Sequence, residues 1–447
     1  MFSIGVADND EKVGFRTFSS GALAIALLDK WVLIDLWHFI SGWKRKCGKV
    51  IIIEEVVEIR KQLDSIKDEL VSLRRDFHKY PELCFEEWRT SKIISDYLES
   101  LGLEVRKGIA KTGVVGLLKG EKAGRTILIR ADMDALPIQE ENKIPHKSIH
   151  EGKMHACGHD GHMAMLLIAA KILSQHRDKM NGSIKFLFQP CEEIAGAEFM
   201  IEEGVLENPH VDAALGIHLL TQLETGKIGI ICGPTMAAMD NFKLTIEGQG
   251  GHTGSPERAV DPIIAAANVV NAVQIIQTRE INAMKPTLIM FGRIEGGTAP
   301  NIIPLKVKLE GSIRYLYEDG EEVQRRFERV VDGICKTCRT TYQVEFMCSN
   351  RLLSNDPKMT ELVRAVAEKV ISNQDNIISD IRTMGGDDFS EFALRVPSTF
   401  YFIGAGNKEK GADYYHHHPR FDIDEDALAI GAEMHVRTAL AYCTEDV

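Results

Sequence analysis

Apolar residues recur at intervals of three and four positions between Glu54 and Tyr80, a spacing typical of an amphipathic helix. A second helix is predicted over residues 87–101, because Gly102 follows it as a stop signal. Further along, short apolar runs predict strands at 114–118, 126–131, 184–188 and 213–217, and a longer run predicts a helix at 163–173. This alternation predicts an α/β fold with a parallel or mixed sheet covered by helices on both faces.

The pattern changes in the segment 240–350, where apolar and polar residues alternate along several runs. Strands are predicted at 242–246, 287–294, 305–315 and 342–347, and helices at 262–278 and 319–340. This β-α-β-β-α-β order is that of a ferredoxin-like unit. Candidate metal ligands lie on both sides of it in the sequence. We therefore expect an α+β domain at 236–350 inserted into an α/β domain formed by 51–235 and 351–447.

Residues 1–50 contain apolar runs between positions 21 and 43. Asp29, Lys30 and Asp35 interrupt these runs, which leaves fewer than the ~20 consecutive apolar residues that a membrane span needs. The start of the chain also lacks the basic segment of a signal peptide. We expect an N-terminal extension that packs as an amphipathic helix and no membrane partner; a weak membrane anchor is the alternative.

The chain has 447 residues and a formal net charge of -12. This charge, without a Lys/Arg-rich patch, argues against a nucleic-acid partner. Nine cysteines are scattered without a regular framework, and an odd number of this kind predicts reduced thiols in a cytoplasmic protein. Cys335 and Cys338 have the spacing of a redox motif, but we interpret them as ordinary cysteines on a helix face.

Side chains that bind borderline metals such as zinc are concentrated at a few places in the sequence. The segment 154–162 contains one thiol and three imidazoles, Glu192 and Glu193 are adjacent, His218 closes an apolar run, and three histidines occupy 416–418. A ligand set of mixed nitrogen, oxygen and sulfur type predicts a metal centre, and the number of candidates predicts a paired one.

Several of these groups stand where a predicted strand stops. Asp132 and Asp134 follow one strand, Glu192 and Glu193 follow the next, and His218 follows a third. In open α/β sheets, ligands bind beyond the carboxyl ends of the strands. The strand pattern and the polar clusters therefore point independently to one site.

Glu192 and Glu193 are neighbours just past a strand, so their side chains point in different directions. One carboxylate can then bind a metal while the other accepts a proton from a water molecule that the metal acidifies. The alternative is a solvated acidic pair at a helix N-terminus, where carboxylates are favourable.

A series of motifs resembles the amidohydrolase branch of the zinc aminoacylase/carboxypeptidase metallopeptidase family, which includes hippurate hydrolases and auxin-amino-acid conjugate hydrolases. The motifs are Arg74–Leu83, Arg130–Pro137, Cys157–Asp160, Gln189–Glu193, Gly250–His252, Gly296–Asn301 and His417–Phe421. The resemblance spans roughly residues 54–440. It implies a mixed-sheet metallopeptidase catalytic domain, with the inserted ferredoxin-like domain acting as a lid and dimerisation domain.

The resemblance also implies which residues form the metal centre. The metal ligands are Cys157, His159, Glu193, His218 and His417. They would hold two divalent ions per subunit, with zinc, manganese and cobalt as candidates. Glu192 falls on the general-base position, and Asp134 on a position that orients a ligand imidazole. The other two histidines of 416–418 are interpreted as exposed loop residues, and His78 and His162 as structural hydrogen-bonding residues.

Other residues are implied to contact the substrate. His252 and Asn301 lie in the inserted domain at positions that reach it, and in related dimers the equivalent histidine comes from the opposite subunit. A homodimer or higher homo-oligomer is therefore expected. Arg314 is a candidate partner for a substrate carboxylate; the alternative is that it pairs within its own domain, with Glu310 or Asp319.

The function that the resemblance implies is metal-dependent hydrolysis of the amide bond of N-acyl-L-amino acids. A metallocarboxypeptidase acting on short or N-blocked peptides is one alternative, and a catalytically silent metal-binding protein on the same fold is another. The sequence departs from the family pattern at Cys191, where many relatives have alanine, and at Asp387, which replaces a more usual glutamate. Cys191 is interpreted as a small buried residue, with a spare soft ligand as the alternative.

Overall fold

The computed structural model describes residues 3–7, 13–17 and 58–444. The chain divides into two compact units, Met1–Glu58 and Ile59–Val447. In the first, β1 (Ser3–Ala7) and β2 (Val13–Thr17) form an antiparallel pair, which the sequence analysis did not predict. The N-terminal extension over residues 1–50 is predicted to pack as an amphipathic helix, and its residues 18–50 lie outside the described residues.

The larger unit contains an eight-stranded mixed sheet with the strand order β17-β8-β18-β7-β5-β6-β4-β3. Its strands are β3 (Glu104–Ile109), β4 (Gly113–Lys119), β5 (Lys122–Asp132), β6 (Asn181–Gln189), β7 (Ala213–Glu224), β8 (Ile228–Gly229), β17 (Ile377–Ile378) and β18 (Ser398–Gly406). The central strands β6, β5, β7 and β18 pair in parallel, and β3 and β4 are antiparallel additions at one edge. The predicted mixed sheet is confirmed.

Helices cover both faces of this sheet, as expected. The helices of the unit outside the inserted segment are α1 (58–65), α2 (Lys67–Lys79), α3 (Trp88–Ser100), α4 (His159–Ser174), α5 (Gly196–Glu202), α8 (Pro357–Val370), α9 (Ser390–Ala393) and α10 (Asp426–Thr444). Within β5, Ile127 and Ile129 belong to one apolar core and Leu128 to the other. Because successive side chains of a strand point to opposite faces, this alternation requires cover on both sides.

The segment between β9 (Gly233–Met236) and β16 (Leu353–Asn355), which pair with each other, forms a second sheet of order β12-β14-β10-β15. Its elements are β10 (Ala238–Glu247), β11 (Gly251–His252), α6 (Pro262–Ala272), β12 (Thr287–Gly296), β13 (Ile302–Ile303), β14 (Lys306–Tyr315), α7 (Glu322–Cys338) and β15 (Thr341–Asn350). The long elements follow the predicted β-α-β-β-α-β order. They enclose a separate apolar core that includes Phe242 and Phe327.

The structure departs from the sequence analysis in the length of α6, which ends at Ala272 and not near Thr278; a short π-helical segment, Ile276–Glu280, follows. The exact boundaries of the inserted domain, and its action as a lid, stay predictions.

In the described part of the chain, none of the helices combines the length and the apolar character that crossing a bilayer requires. The cytoplasmic location stays a prediction.

Candidate metal centre

The predicted site residues come from the ends of adjacent parallel strands. Asp134 follows β5, and Glu192 and Glu193 follow β6, which pairs with β5 in parallel. His218 differs from its prediction, because it lies within β7 and not after it. β7 continues to Glu224 since β18 pairs alongside it in parallel.

Cys157 and His159 lie where the chain enters α4. His159 is the first residue of the helix, and Gly158 before it has a φ of +93°. This left-handed conformation suits glycine, which lacks a Cβ atom. The glycine therefore lets the chain turn directly from the thiol into the helix, so that both side chains face the same space.

The structure brings the five predicted ligands together in two overlapping groups. Cys157, His159 and His218 form one group, in which the ligand atoms all lie within 4.8 Å of one another, and Cys157, Glu193 and His417 form the other. Cys157 Sγ lies 3.5 Å from His218 Nε2, and Glu193 Oε1 lies 3.2 Å from His417 Nε2. Cys157 belongs to both groups, so it would hold a divalent ion together with either set of partners.

The hydrogen bonds of the two buried imidazoles fit a metal centre. His159 Nδ1 donates to the carbonyl oxygen of Asp134 at 2.8 Å, and His218 Nδ1 donates to that of Leu219 at 2.8 Å. Each Nδ1–H is thereby engaged, which leaves Nε2 with a lone pair. His159 Nε2 is buried and has no hydrogen-bond partner in the described structure. A buried ring nitrogen without a hydrogen-bond partner, beside a thiol and carboxylates, fits a site for a divalent cation.

The charges of the site also fit a cation. Burial, together with Glu193 and Glu192, raises the pKa of the Cys157 thiol well above its usual range. Burial lowers the pKa of His159, but Asp132 and Asp134 outweigh it and raise this pKa to about 10. In both groups, nearby carboxylates in a buried space favour the protonated form of the side chain. A divalent ion would neutralise the charge of these carboxylates and hold Cys157 as a thiolate.

Asp134 organises the segment that carries the two glutamates. Its Oδ1 accepts a hydrogen bond from the Glu192 N–H at 3.0 Å, and its Oδ2 accepts one from the Glu193 N–H at 3.2 Å. Its carbonyl oxygen is the partner of His159 Nδ1. Asp134 therefore contacts a ligand imidazole, as the resemblance implied, and also fixes the backbone of both glutamates, which the sequence did not show.

A buried polar cluster that the sequence analysis missed brackets the same segment. Arg130 donates to Gln189 Oε1 at 2.9 Å and to Asp388 Oδ1 at 3.1 Å, and Gln189 Nε2 also donates to Asp388. Asp388 Oδ2 accepts the Ala197 N–H at 2.8 Å. The cluster thus fastens the end of β6 to the start of α5, on either side of Glu192. The signal in the sequence was polar residues at the end of an apolar strand.

Asp387, whose role the sequence left open, belongs to this buried region. It lies 3.3 Å from Arg130 in an ion pair, and its Oδ1 accepts the Phe389 N–H at 2.7 Å. Asp387 and Asp388 also come close to Glu192, since ligand atoms of these three carboxylates lie within 4.8 Å of one another.

Two histidines take the structural positions that were predicted for them. His162 Nδ1 donates to Asp132 Oδ1 at 2.6 Å, and its Nε2 accepts the Leu219 N–H at 2.9 Å. His78 contacts Asp160 and Glu140, at 2.8 and 3.2 Å.

His416 contradicts its prediction as an exposed loop residue, because it is half-buried and its Nε2 donates to the Leu219 carbonyl at 2.9 Å. Its ring centroid lies 5.1 Å from that of His218. A sequence pattern does not show this contact, because it depends on how the C-terminal loop folds back over β7.

The candidate substrate residues lie on the inserted sheet and its extensions. His252 is exposed and pairs with Ile302 in the short β11–β13 ladder. His252 and Asn301 line a cavity of about 720 Å³. Arg314 does not bond to Glu310 or Asp319 but donates to the carbonyl oxygen of Met384 at 2.7 Å. Their contacts with substrate stay predictions.

The cysteines differ from the expectation that all are reduced. Cys84 and Cys191 form a disulfide with a Cα–Cα distance of 4.2 Å. Cys191 is indeed buried, as predicted, but it is neither a simple small residue nor a spare metal ligand. The sequence separation of 107 positions explains why no local spacing pattern indicated the pair. Cys335 and Cys338 are free thiols on α7, in agreement with the sequence analysis.

Comparisons with known proteins agree with this geometry. The family model described as Peptidase family M20/M25/M40 matches residues 128–441. Thermostable carboxypeptidase 1 of Saccharolobus solfataricus is 37% identical over 393 residues, which cover 87% of this chain and 98% of that protein. N-acetyl-L-cysteine deacetylase of Bacillus subtilis is 37% identical over 399 residues, which cover 88% of this chain and 94% of that protein.

A solved structure extends the likeness to the fold. The YXEP protein of Bacillus subtilis, described as a dinuclear metal binding peptidase from the M20 family, matches with a TM-score of 0.75 and 32% identity. The match covers 85% of this chain and 99% of that one. These likenesses confirm the resemblance that the motifs indicated. The chain therefore belongs to peptidase family M20/M25/M40 and is a metal-dependent hydrolase.

Proposed function

We propose that the protein hydrolyses the amide bond of N-acyl-L-amino acids, with Glu192 as the general base. The observation that carries this proposal is the arrangement of the two adjacent glutamates. Their carboxylates and the His159 ring offer atoms within 4.8 Å of one another, yet Glu193 alone joins Cys157 and His417 in a ligand group. Glu192 is thus a second carboxylate beside the ligands, within reach of a reacting water.

Divalent ions held by the five ligands would supply polarisation of the scissile carbonyl and acidification of a water molecule. Glu192 accepts the proton of that water at its carboxylate and returns it to the leaving amine. Burial, with Asp387 and Glu193 nearby, raises the pKa of Glu192 well above its ordinary value. A raised pKa makes its carboxylate a stronger proton acceptor.

The far end of the substrate is assigned to the inserted domain. Arg314 is half-buried and uses one N–H group on the Met384 carbonyl. A guanidinium has five N–H donors, so this bond leaves donors for a substrate carboxylate. His252 stabilises the developing oxyanion, and Asn301 contacts the substrate from the same cavity.

We further propose that two copies of the chain form a dimer through the inserted domain, so that His252 reaches the partner's site. β12 is an edge strand of the four-stranded sheet and exposes Leu288, Met290 and Ile294. α6 exposes Ile263 and Ile264. An apolar strand edge is normally covered, and a second copy of the same edge is the simplest cover.

A metallocarboxypeptidase acting on short or N-blocked peptides is the second candidate, since two relatives at 37% identity are named carboxypeptidases. Both candidates share the chemistry and the free α-carboxylate next to the scissile amide. They differ in what lies on the acyl side. A silent metal-binding protein is disfavoured, because the residues proposed as ligands and as the general base are all present in the chain.

The test is turnover of matched substrates by the metal-loaded protein. N-acyl-L-amino acids with several acyl groups, their C-terminal amides, and N-blocked dipeptides are compared by kcat/KM. We expect the free acids to be hydrolysed and the amides to be hydrolysed much more slowly, because an amide leaves the half-buried donors of Arg314 without a carboxylate partner. Chelation should abolish the turnover.

Two results would overturn the proposal. Equal kcat/KM for an acid and its amide would remove the role of Arg314. Hydrolysis of N-blocked dipeptides but of no simple N-acyl amino acid would favour the carboxypeptidase.

A further inference from the structure

The disulfide between Cys84 and Cys191 ends one residue before Glu192. Cys191 is buried and has a φ of +56°, a left-handed conformation that is rare for a residue with a side chain. Cys84 is half-buried. The bond therefore ties the segment between α2 and α3 to the position from which the proposed general base projects.

Backbone hydrogen bonds of Cys191 hold the turn that carries the two glutamates. Its carbonyl oxygen accepts hydrogen bonds from the N–H groups of Ala195 and Gly196, at 3.1 and 2.8 Å. Its own N–H donates to Glu87 Oε1 at 3.0 Å. A shift of Cys191 is thus passed directly to the turn that carries Glu192.

The segment at the other end of the disulfide also holds the loop of Asp134. Leu83 forms a parallel bridge with Ala135, and the Glu82 carbonyl accepts the Ala135 N–H at 2.8 Å. Phe85 packs its ring against Phe199 of α5 in a T-shaped contact with centroids 5.8 Å apart. One short segment therefore touches the strand end before the glutamates, the Asp134 loop and the helix after the glutamates.

We propose that the Cys84–Cys191 disulfide is a positioning element for Glu192, and that reversible reduction of this bond lowers turnover. The proposal rests on the function proposed above for Glu192. Two thiols cannot stay at bonding distance, and Cys191 is enclosed on all sides, so reduction moves the segment around Cys84. That segment then no longer fixes the position of Cys191 relative to the Asp134 loop.

The chemistry is thiol–disulfide exchange with a dithiol reductant. One thiolate of the reductant attacks the sulfur of Cys84, the more accessible of the two, and forms a mixed disulfide while Cys191 leaves as a thiolate and takes up a proton. The second thiolate of the reductant attacks the mixed disulfide and releases Cys84. The protein gains two electrons and two protons, and the reductant becomes a disulfide.

The experiment compares the oxidised full-length protein, the same protein after reduction and removal of the dithiol, and the Cys84→Ser variant, all with bound metal measured. Reduction should lower kcat roughly 10- to 100-fold with KM little changed, because small misplacements of a catalytic group cost rates of this size. Reoxidation should restore kcat. Cys84→Ser should have the low kcat and no response to reductant, whereas Cys232→Ser, at an exposed free thiol, should respond as the wild type does.

A second readout does not depend on activity. Hydrogen exchange at the amides of residues 194–196 should be faster in the reduced protein and in Cys84→Ser, while amides in the middle of α4 should be unchanged. Equal exchange and equal kcat in both states, with metal retained, would overturn the proposal. If the oxidised protein hydrolyses no N-acyl amino acid, the proposed function fails, and the exchange difference still decides whether the disulfide holds the segment.

Discussion

The eight-stranded sheet and the inserted four-stranded sheet present their candidate residues in different ways. Around the larger sheet, His159 and His218 are buried and each is fixed by a hydrogen bond from Nδ1 to a backbone carbonyl. On the inserted segment, His252 and Asn301 are exposed, and His252 Nδ1 accepts only a local hydrogen bond from the Gly254 N–H among the bonds described.

The difference follows from burial. A polar group that is removed from water must find partners inside the chain, so a buried constellation is completed by the fold of one copy. An exposed group keeps water as a partner and needs something outside itself to become organised. We infer that the larger sheet holds the reactive side chains in fixed positions within one copy. The residues of the inserted sheet become ordered in the site only when substrate or a second copy binds to them.

The largest effect should come from the two adjacent glutamates, Glu192 and Glu193. Glu192→Gln should retain metal and lose about 10²–10⁴-fold in kcat, because it removes a proton acceptor and keeps the shape. Glu193→Ala should instead lose metal, since this residue shares a ligand group with Cys157 and His417. Elemental analysis and kcat at saturating substrate measure the two effects separately.

The opposite pattern would reverse the assignment of the pair. Loss of metal by Glu192→Gln and retention of it by Glu193→Ala would mean that Glu192 is the ligand. The matched control is Glu198→Gln, which removes an exposed carboxylate on α5 close in sequence and should change neither quantity.

A smaller effect is expected on the inserted domain, and it should depend on assembly. His252→Ala should reduce kcat about 10²–10³-fold, the usual loss for one oxyanion donor. If the donor comes from the partner copy, mixing His252→Ala with Glu192→Gln should restore activity, because each mixed dimer contains one intact site. The measurement compares the activity of the mixture with the sum of the activities of the two variants assayed separately.

No gain on mixing, with subunit exchange verified by mass, would place His252 in the site of its own copy. A fully active monomer by sedimentation at assay concentration would show that catalysis needs no second copy. In both cases the inserted domain would act within its own copy, and the proposed difference between the two sheets would no longer hold.

The sequence predicted the elements because their causes are local. The apolar run 126–131 and the alternation at 242–246 each record which faces are buried, and both strands form. Glu192 and Glu193 were placed after a strand for the same reason. His417, 260 positions after Cys157, was assigned through the family resemblance, since no local pattern links residues so far apart.

Features that depend on the order of strands in space were not predictable. The cluster of Arg130, Gln189 and Asp388 forms because β5 and β6 are neighbours and the loop before α9 folds over their ends. The disulfide likewise joins Cys84 to Cys191 through tertiary packing alone. Local periodicity contains no information on either contact.

The smallest effect concerns the free energy of unfolding. It comes from the buried hydrogen-bond network around His78, which belongs to the domain with the larger sheet. His78 is buried between Asp160 and Glu140, with contacts of 2.8 and 3.2 Å. Burial and the nearby Arg74 lower its pKa, but hydrogen bonds to the two carboxylates outweigh them and raise the pKa to about 9. His78 therefore stays charged in the folded protein at neutral pH.

The sign of the pH dependence follows from that raised pKa. A histidine whose folded pKa is raised above the unfolded value of about 6.5 contributes stability that is fully present below pH 6.5 and is lost as pH rises through 9. The contribution is on the order of 3 kcal/mol, because a tenfold change in proton affinity corresponds to about 1.4 kcal/mol. Between pH 6.5 and 9.5, the wild type should therefore lose more free energy of unfolding than His78→Gln, measured by urea denaturation. His210→Gln, at an exposed position, should follow the wild type, and parallel curves for His78→Gln and wild type would show that this imidazole is not charged in the fold.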